Sequence, residues 1–281
     1  MTTVLDIQRF KDERRRFAVL TAYDFLSARI LDETGIPILL VGDSLGMVML
    51  GHPTTLPVTL DDMLVHAKAV SRGARQALLV GDMPFMSYQV STEQAIASAG
   101  RFIQEAGMHA VKLEGGGPVI EITRRLTEIG IPVMGHLGLT PQSVHTMGGF
   151  KVQGKTDAQA ARILADAKAL EQAGAFSVVL EGMPSKLAAT ITNSLRIPTI
   201  GIGAGPGTDG QVLVLHDMLG MTSGKAPKFV KRYANLAEDI ARAATTYADD
   251  VREGKFPGPE HEYSANGSAP AKDREEVRYG G

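Results

Sequence analysis

Short apolar runs that end in glycine or a polar residue recur along this chain, and nothing else in it constrains the fold as much. The pattern is plainest in Pro37-Ile-Leu-Leu-Val-Gly-Asp-Ser-Leu-Gly46. It returns in Ala77-Leu-Leu-Val-Gly-Asp82, Ala110-Val-Lys-Leu-Glu114 and Phe176-Ser-Val-Val-Leu-Glu181. A continuous apolar run bounded by turn residues reads as a strand buried on both faces. Residues 17–22, 131–136, 197–202 and 211–216 bring the set to eight. Helical patterns alternate with most of these runs, over about 24–34, 60–72, 92–106, 119–129, 157–173 and 185–195. A further helix is expected near the start, over about 4–13, and a last one over about 228–253. Between the final two strands only a tight glycine turn intervenes.

Strands alternating with helices call for parallel pairing through right-handed crossovers. Eight such units over roughly 250 residues match a (β/α)8 TIM barrel, with an open doubly wound sheet as the alternative. The expected organisation is a single barrel domain over 1–255. A polar, turn-rich tail over 256–281 is expected to be mostly disordered.

Composition narrows the class of function. The 281 residues carry 31 acids and 29 bases, a net charge of −2, which predicts neither a nucleic-acid nor a membrane-surface partner. Cysteine is absent. That rules out disulfides, thiolate nucleophiles and cysteine zinc sites, and it fits a reducing compartment. No apolar run approaches the ~18 residues of a membrane span. Arg14-Arg-Arg16 before Phe17-Ala-Val-Leu20 mimics a signal peptide only until Thr21 and Asp24 interrupt it. The expectation is a cytoplasmic protein acting on small molecules.

In a barrel of this kind the reactive groups sit at the carboxyl ends of the strands. Those ends read Asp43, Asp82, Glu114, His136 and Glu181 for strands two to six. Any one of them alone could simply cap the next helix, but five on consecutive strands would converge on one mouth. Three carboxylates brought together repel one another, so a cation must sit among them or a proton must be shared. Oxygen donors without cysteine favour a hard cation, Mg²⁺, held partly by water and substrate. Lys112 lies two residues before Glu114 and therefore points to the same side of its strand, available to an anionic substrate. A 2-oxo acid can chelate such a cation, which acts as a Lewis acid and stabilises an enolate. Glu181, farthest in strand order from Asp43, is the candidate base.

Other features carry less. Gly205, Gly207 and Gly210 spell G-x-G-x-x-G, but Gln211-Val-Leu-Val-Leu215 follows where a dinucleotide-binding helix should begin, so a plain turn is expected. His66 falls within a helix and reads as a structural or a surface residue. His52 and His145 fall in two long loops, which are open to reading as lids or as connections. The twelve methionines read as core filler.

Several phrases together resemble one enzyme family. Leu20-Thr-Ala-Tyr-Asp24, Val41-Gly-Asp-Ser-Leu-Gly46, Gly51-His52, Thr55-Leu-Pro-Val-Thr59 and Pro84-Phe-Met86 are similar to the ketopantoate hydroxymethyltransferases. So are Val111-Lys-Leu-Glu-Gly115, Gly135-His-Leu-Gly-Leu-Thr-Pro-Gln-Ser143, Gly149-Phe-Lys-Val-Gln-Gly154 and Gly201-Ile-Gly-Ala-Gly205 with Thr208-Asp-Gly210. The likeness runs from about residue 10 to residue 261. It implies transfer of a one-carbon unit from 5,10-methylenetetrahydrofolate to 3-methyl-2-oxobutanoate, giving 2-dehydropantoate in the first committed step of pantothenate synthesis. It also implies Mg²⁺ by Asp43, Asp82 and Glu114, the oxo acid at Asp43, Ser44, Asp82 and Lys112, Glu181 as base and His136 near the substrate. A decameric homo-oligomer and a barrel similar to phosphoenolpyruvate mutase and isocitrate lyase follow from the same resemblance. A lyase of the isocitrate lyase type would use the same metal and oxo-acid chemistry, but the chain has no cysteine to serve as its acid or nucleophile. No folate-binding motif is legible.

Overall fold

The computed structural model of the protein describes residues 1–263, apart from 223 and 225. Its strands are β1 (Phe17–Thr21), β2 (Ile38–Val41), β3 (Leu78–Asp82), β4 (Ala110–Glu114), β5 (Val133–Gly138), β6 (Ser177–Glu181), β7 (Thr199–Ile202) and β8 (Gly210–Leu213). Each pairs in parallel with its sequence neighbours, and β8 returns to pair with β1, closing the barrel. The open doubly wound sheet is excluded by that last pairing.

The helices are α1 (Val4–Asp12), α2 (Phe25–Glu33), α3 (Leu45–Val48), α4 (Leu60–Gly73), α5 (Thr92–Gln104), α6 (Pro118–Glu128), α7 (Asp157–Gln172), α8 (Ser185–Ser194), α9 (Leu215–Met218) and α10 (Leu236–Arg252). Several begin where the sequence supplies a cap. Thr3, Thr59 and Thr156 each accept a hydrogen bond from the third helical N–H, which reciprocates through an Asp or Gln side chain.

The period-2 alternation of strand side chains divides the core in two. Inward positions such as Val19, Leu40, Val80, Ala110, Met134, Val179 and Val212 fill the barrel interior. Outward positions such as Leu39, Val41, Leu79, Val111, Leu113 and Val133 pack under the helices. At the amino end of the strands α1 closes the barrel floor. Its Ile7 is wholly buried in the interior cluster, and Lys11 Nζ bonds Thr192 O at 3.0 Å and Asp209 Oδ2 at 2.9 Å.

The fifth and seventh strands each start two residues later than expected, and three other departures are larger or change the element. The eighth strand stops at Leu213, and His216 lies in the short helix α9 instead of at a strand end, because Thr21 Oγ1 takes the N–H of Leu215 and turns the chain. A single turn, α3, follows Ser44 and runs over residues 47 and 48 into the stretch expected to be loop. The last helix starts at Leu236 and not near 228. The preceding segment is drawn onto the barrel unit, where Phe229 lies over Gly203 and the Tyr233 N–H donates to Met218 O at 2.8 Å. Met1–Ala234 form one compact unit and the residues from Asn235 a second. Within the second, the Phe256 ring meets Tyr247 and His261. The tail expectation for 264–281 lies outside the described residues. Among the described residues no helix is long and apolar enough to cross a membrane.

Candidate active site

The inward positions that stay apolar through the barrel turn polar at its carboxyl end. On β3 the inward side chains run Leu78, Val80, Asp82; on β4, Ala110, Lys112, Glu114. On β5 they run Met134, His136, and on β6 Val179, Glu181. Register sets the neighbours: Asp82 stands beside Lys112 and Glu114 beside His136. Asp43 and Ser44 arrive differently, from the turn after β2. Asp43, Ser44, Asp82, Lys112, Glu114, His136 and Glu181 all line one cavity of about 820 Å³.

Lys112 Nζ donates to Asp82 Oδ1 at 2.6 Å and lies 3.9 Å from Glu114 Oε1. Burial alone would push the lysine's pKa down. Asp82, Glu114 and Asp43 outweigh burial and raise it, so Lys112 is an ammonium. Asp82 Oδ2 accepts the Asp43 N–H at 3.2 Å, and Asp43 Oδ2 accepts Gln142 Nε2 at 3.0 Å. Asp43 Oδ1 has no hydrogen-bond partner among the described residues. Burial, with Asp82 and Glu114 adding repulsion, pushes the Asp43 carboxyl well above its usual range and raises Asp82 as well. Glu114 goes the other way. Burial would raise it, but the His136 and Lys112 cations and the Gln142 N–H hold it low.

His136 links the two ends of the cluster. Its Nδ1 lies 3.3 Å from Glu114 Oε1 and its Nε2 3.1 Å from Glu181 Oε2, ion-pair distances at which neither contact is aligned as a hydrogen bond. Burial and Lys112 work against protonation, yet the two carboxylates raise the imidazole to about 9, so it is cationic at neutral pH. Glu181 is half-buried, and its Oε1 faces no hydrogen-bond donor among the described residues. Ser44 Oγ is held 2.9 Å from Tyr23 Oη.

Sequence reasoning missed two residues that hold this arrangement. Gln142, from a 3₁₀ turn in the loop after β5, bonds Asp43, the Met83 carbonyl and, through its own N–H, Glu114. Tyr88 donates its hydroxyl to Gln142 Oε1 at 2.7 Å and accepts the Glu114 N–H at 3.1 Å. Both are buried polar side chains from irregular segments, where no periodicity marks which way a side chain faces. The only signal was the phrase Thr-Pro-Gln-Ser itself. Of the doubtful histidines, His66 Nδ1 sits 2.7 Å from the Tyr23 carbonyl, a structural role. His145 is exposed. The glycines at 205–210 form the turn into β8, with no helix after them.

A hard cation suits this donor set. Three buried carboxylates face one ammonium and one imidazolium, Asp43 Oδ1 is unpartnered, and the raised Asp43 carboxyl marks a place short of positive charge. Among the described residues no three His, Asp or Glu side chains converge as a complete cage. Mg²⁺ needs none, because it keeps waters and takes substrate oxygens.

A closed parallel barrel with buried charge at its carboxyl mouth defines a (β/α)8 enzyme, and the solved structures it resembles narrow the architecture. The barrel superposes on phosphonopyruvate hydrolase, solved in complex with oxalate and Mg²⁺, with a TM-score of 0.59 over 94% of this chain and 93% of that one, at 13% identity. It matches 2,3-dimethylmalate lyase, a member of the phosphoenolpyruvate mutase/isocitrate lyase superfamily, with a TM-score of 0.59 over 94% and 89% at 18% identity. The sequence is more specific. The family model for ketopantoate hydroxymethyltransferase matches residues 1–259, and the chain belongs to that family. The 3-methyl-2-oxobutanoate hydroxymethyltransferase of Syntrophus aciditrophicus is 60% identical over 257 residues, covering 92% of this chain and 94% of that one. The enzyme of the same name from Syntrophotalea carbinolica is 57% identical over 262 residues, covering 93% and 98%.

Proposed function

We propose that the chain transfers a hydroxymethyl group from 5,10-methylenetetrahydrofolate to 3-methyl-2-oxobutanoate, giving 2-dehydropantoate, the first step of pantothenate biosynthesis. The observation that carries this reading is Glu181, with one oxygen free, set in the same cavity as Lys112 and the carboxylates Asp43, Asp82 and Glu114. The oxalate and Mg²⁺ held by the phosphonopyruvate hydrolase barrel support it, since oxalate has the shape of a planar oxo-acid enolate.

Asp43, Asp82 and Glu114 would hold Mg²⁺, the last through water. The cation would supply Lewis acidity towards the keto and carboxylate oxygens of the acceptor. Lys112 and Ser44 receive the acceptor's carboxylate, the ammonium by charge and the hydroxyl by a hydrogen bond. Glu181 takes the proton from C3 of the oxo acid. That C–H bond breaks, its electron pair passes into the enolate, and the proton comes to rest on the carboxylate. The imidazolium of His136 holds the Glu114 carboxyl low and lies between Glu114 and Glu181, orienting both. One water hydrolyses the donor's methylene bridge: both its carbon–nitrogen bonds break, N5 and N10 each take a hydrogen, and tetrahydrofolate leaves with the carbon released as formaldehyde. The enolate carbon adds to that formaldehyde carbon, and the resulting alkoxide takes back the proton held by Glu181 to become the hydroxymethyl group. We place the reaction in the cytoplasm, in a homo-oligomer that resemblance makes a decamer. The exposed Leu26, Ile30 and Val65 on α2 and α4 support self-association.

The test is direct. Purified protein is given 3-methyl-2-oxobutanoate with and without 5,10-methylenetetrahydrofolate and Mg²⁺, and 2-dehydropantoate is measured. Product should form only with all three. Consumption of the oxo acid without folate would replace this reading with a lyase of the isocitrate lyase type.

A further inference from the structure

The cavity is far larger than its acceptor. At about 820 Å³ it has the volume of sites that enclose drug-sized ligands, whereas a five-carbon oxo acid fills only the carboxylate-lined part. The remainder is walled by Met183, Ile202, Val212 and Val214 from the β6–β8 side and by two exposed aromatic rings, Phe150 and Phe229. The rings are 53% and 38% exposed and so offer apolar faces on the cavity wall to a flat ligand. Phe229 owes its seat to Gly203, whose φ is +60° and where a Cβ would come within 2.8 Å of the ring.

Two charged side chains line this second half. Asp217, in α9 just after β8, is among the described residues the one cavity carboxylate outside the cluster of Asp43, Asp82, Glu114 and Glu181. It is half-buried, and Thr222 Oγ1 donates to its Oδ1 at 2.8 Å, which anchors one of its two oxygens. The other oxygen has no hydrogen-bond partner among the described residues. Lys228 stands exposed at the rim with no ion pair among the described residues.

We infer that this half of the cavity is the subsite for the folate donor, and that Asp217 reads the pteridine while Lys228 meets the glutamate tail. The assignment rests on the function proposed above. A reduced pteridine presents an exocyclic amine beside a ring N–H, two donors in a line. A fixed carboxylate accepts that pair and no neutral side chain does so as well. Phe150 and Phe229 give the flat aromatic parts surfaces to lie against. The glutamate carboxylates at the far end of the molecule reach solvent, where Lys228 lends charge at little desolvation cost.

Asp217→Asn and Thr222→Val separate this inference from the function it rests on. Two quantities are read: the KM for 5,10-methylenetetrahydrofolate, and deuterium exchange at C3 of 3-methyl-2-oxobutanoate in heavy water without folate. In Asp217→Asn the donor KM should rise at least about ten-fold, the scale of one charged hydrogen bond, while exchange stays within about two-fold of wild type. In Thr222→Val, which leaves the carboxylate present but unanchored, the donor KM should rise less and in the same direction. Lys228→Gln should narrow the preference for a polyglutamylated over a monoglutamylated donor. An unchanged donor KM in Asp217→Asn overturns the assignment, as does a loss of exchange in both variants equal to the rise in KM. A wild-type protein that exchanges C3 deuterium but ignores folate overturns the proposed function instead.

Discussion

Glu181 is the residue on which the proposed proton transfer turns, and its environment separates binding from chemistry. Among the described residues it meets Asp43, Asp82 and Glu114 only through His136, so its charge can be removed without unseating the others. Glu181→Gln should keep oxo-acid affinity by calorimetry while C3 exchange in heavy water falls by about 10²-fold or more, the usual share of a positioned base. Wild-type exchange in that variant would transfer the role to another group. His109 shows how a side chain can stand in for backbone. Its N–H donates to Leu79 O at 2.9 Å, and its Nδ1 accepts the Leu79 N–H at 3.0 Å, extending the ladder between β3 and the residue before β4. Only the neutral ring can accept, and half-burial lowers its pKa below 6.5. A histidine with a depressed folded pKa contributes stability that is present above 6.5 and is lost as pH falls through the folded value. Urea denaturation between pH 7.5 and 5 should therefore show wild type losing stability faster than His109→Gln, and parallel slopes would refute the link.

At the scale of elements, close approach of strand and helix decides what the strands may contain. Gly81, inside β3, faces outward, and a Cβ there would sit 2.5 Å from the wholly buried Phe102 ring of α5. Gly81→Ala should cost about 1–3 kcal/mol by thermal denaturation, the range for overpacking a filled core. Phe102→Leu in the same chain should recover part of that loss, and additive losses would show that the two do not share one packing site. Elements also mark where the sequence misled. The run after Pro227 has helical composition, but Phe229 and Tyr233 find better partners on the barrel unit, so α10 waits until Leu236. Tertiary contacts overrode local propensity there, as they commonly do.

For the molecule as a whole, the two ends of the barrel unit divide the work, stability at the floor and chemistry at the mouth. Ile7 of α1 joins the interior cluster among Phe17, Val19 and Val212, at the end away from Glu181. Ile7→Ala should lower stability by about 2–5 kcal/mol in urea denaturation, as for other buried truncations, with C3 exchange unchanged at temperatures where the chain is folded. Exchange lost in step with stability at 20 °C would mean that floor and mouth are not independent.

The sequence by itself determined the eight strands and the acids at their ends. A period of two, read against apolar runs, states both where a strand lies and which residues share its inner face, so Asp82, Glu114, His136 and Glu181 were legible together. Only the tertiary structure decided who touches whom. Lys112 bonds Asp82 on the neighbouring strand more closely than Glu114 two residues along its own, because register between strands is a long-range quantity that no local pattern encodes. Tyr88 and Gln142 entered the site for the same reason. Loops carry no period, and their side chains are aimed by what they meet once the barrel has closed.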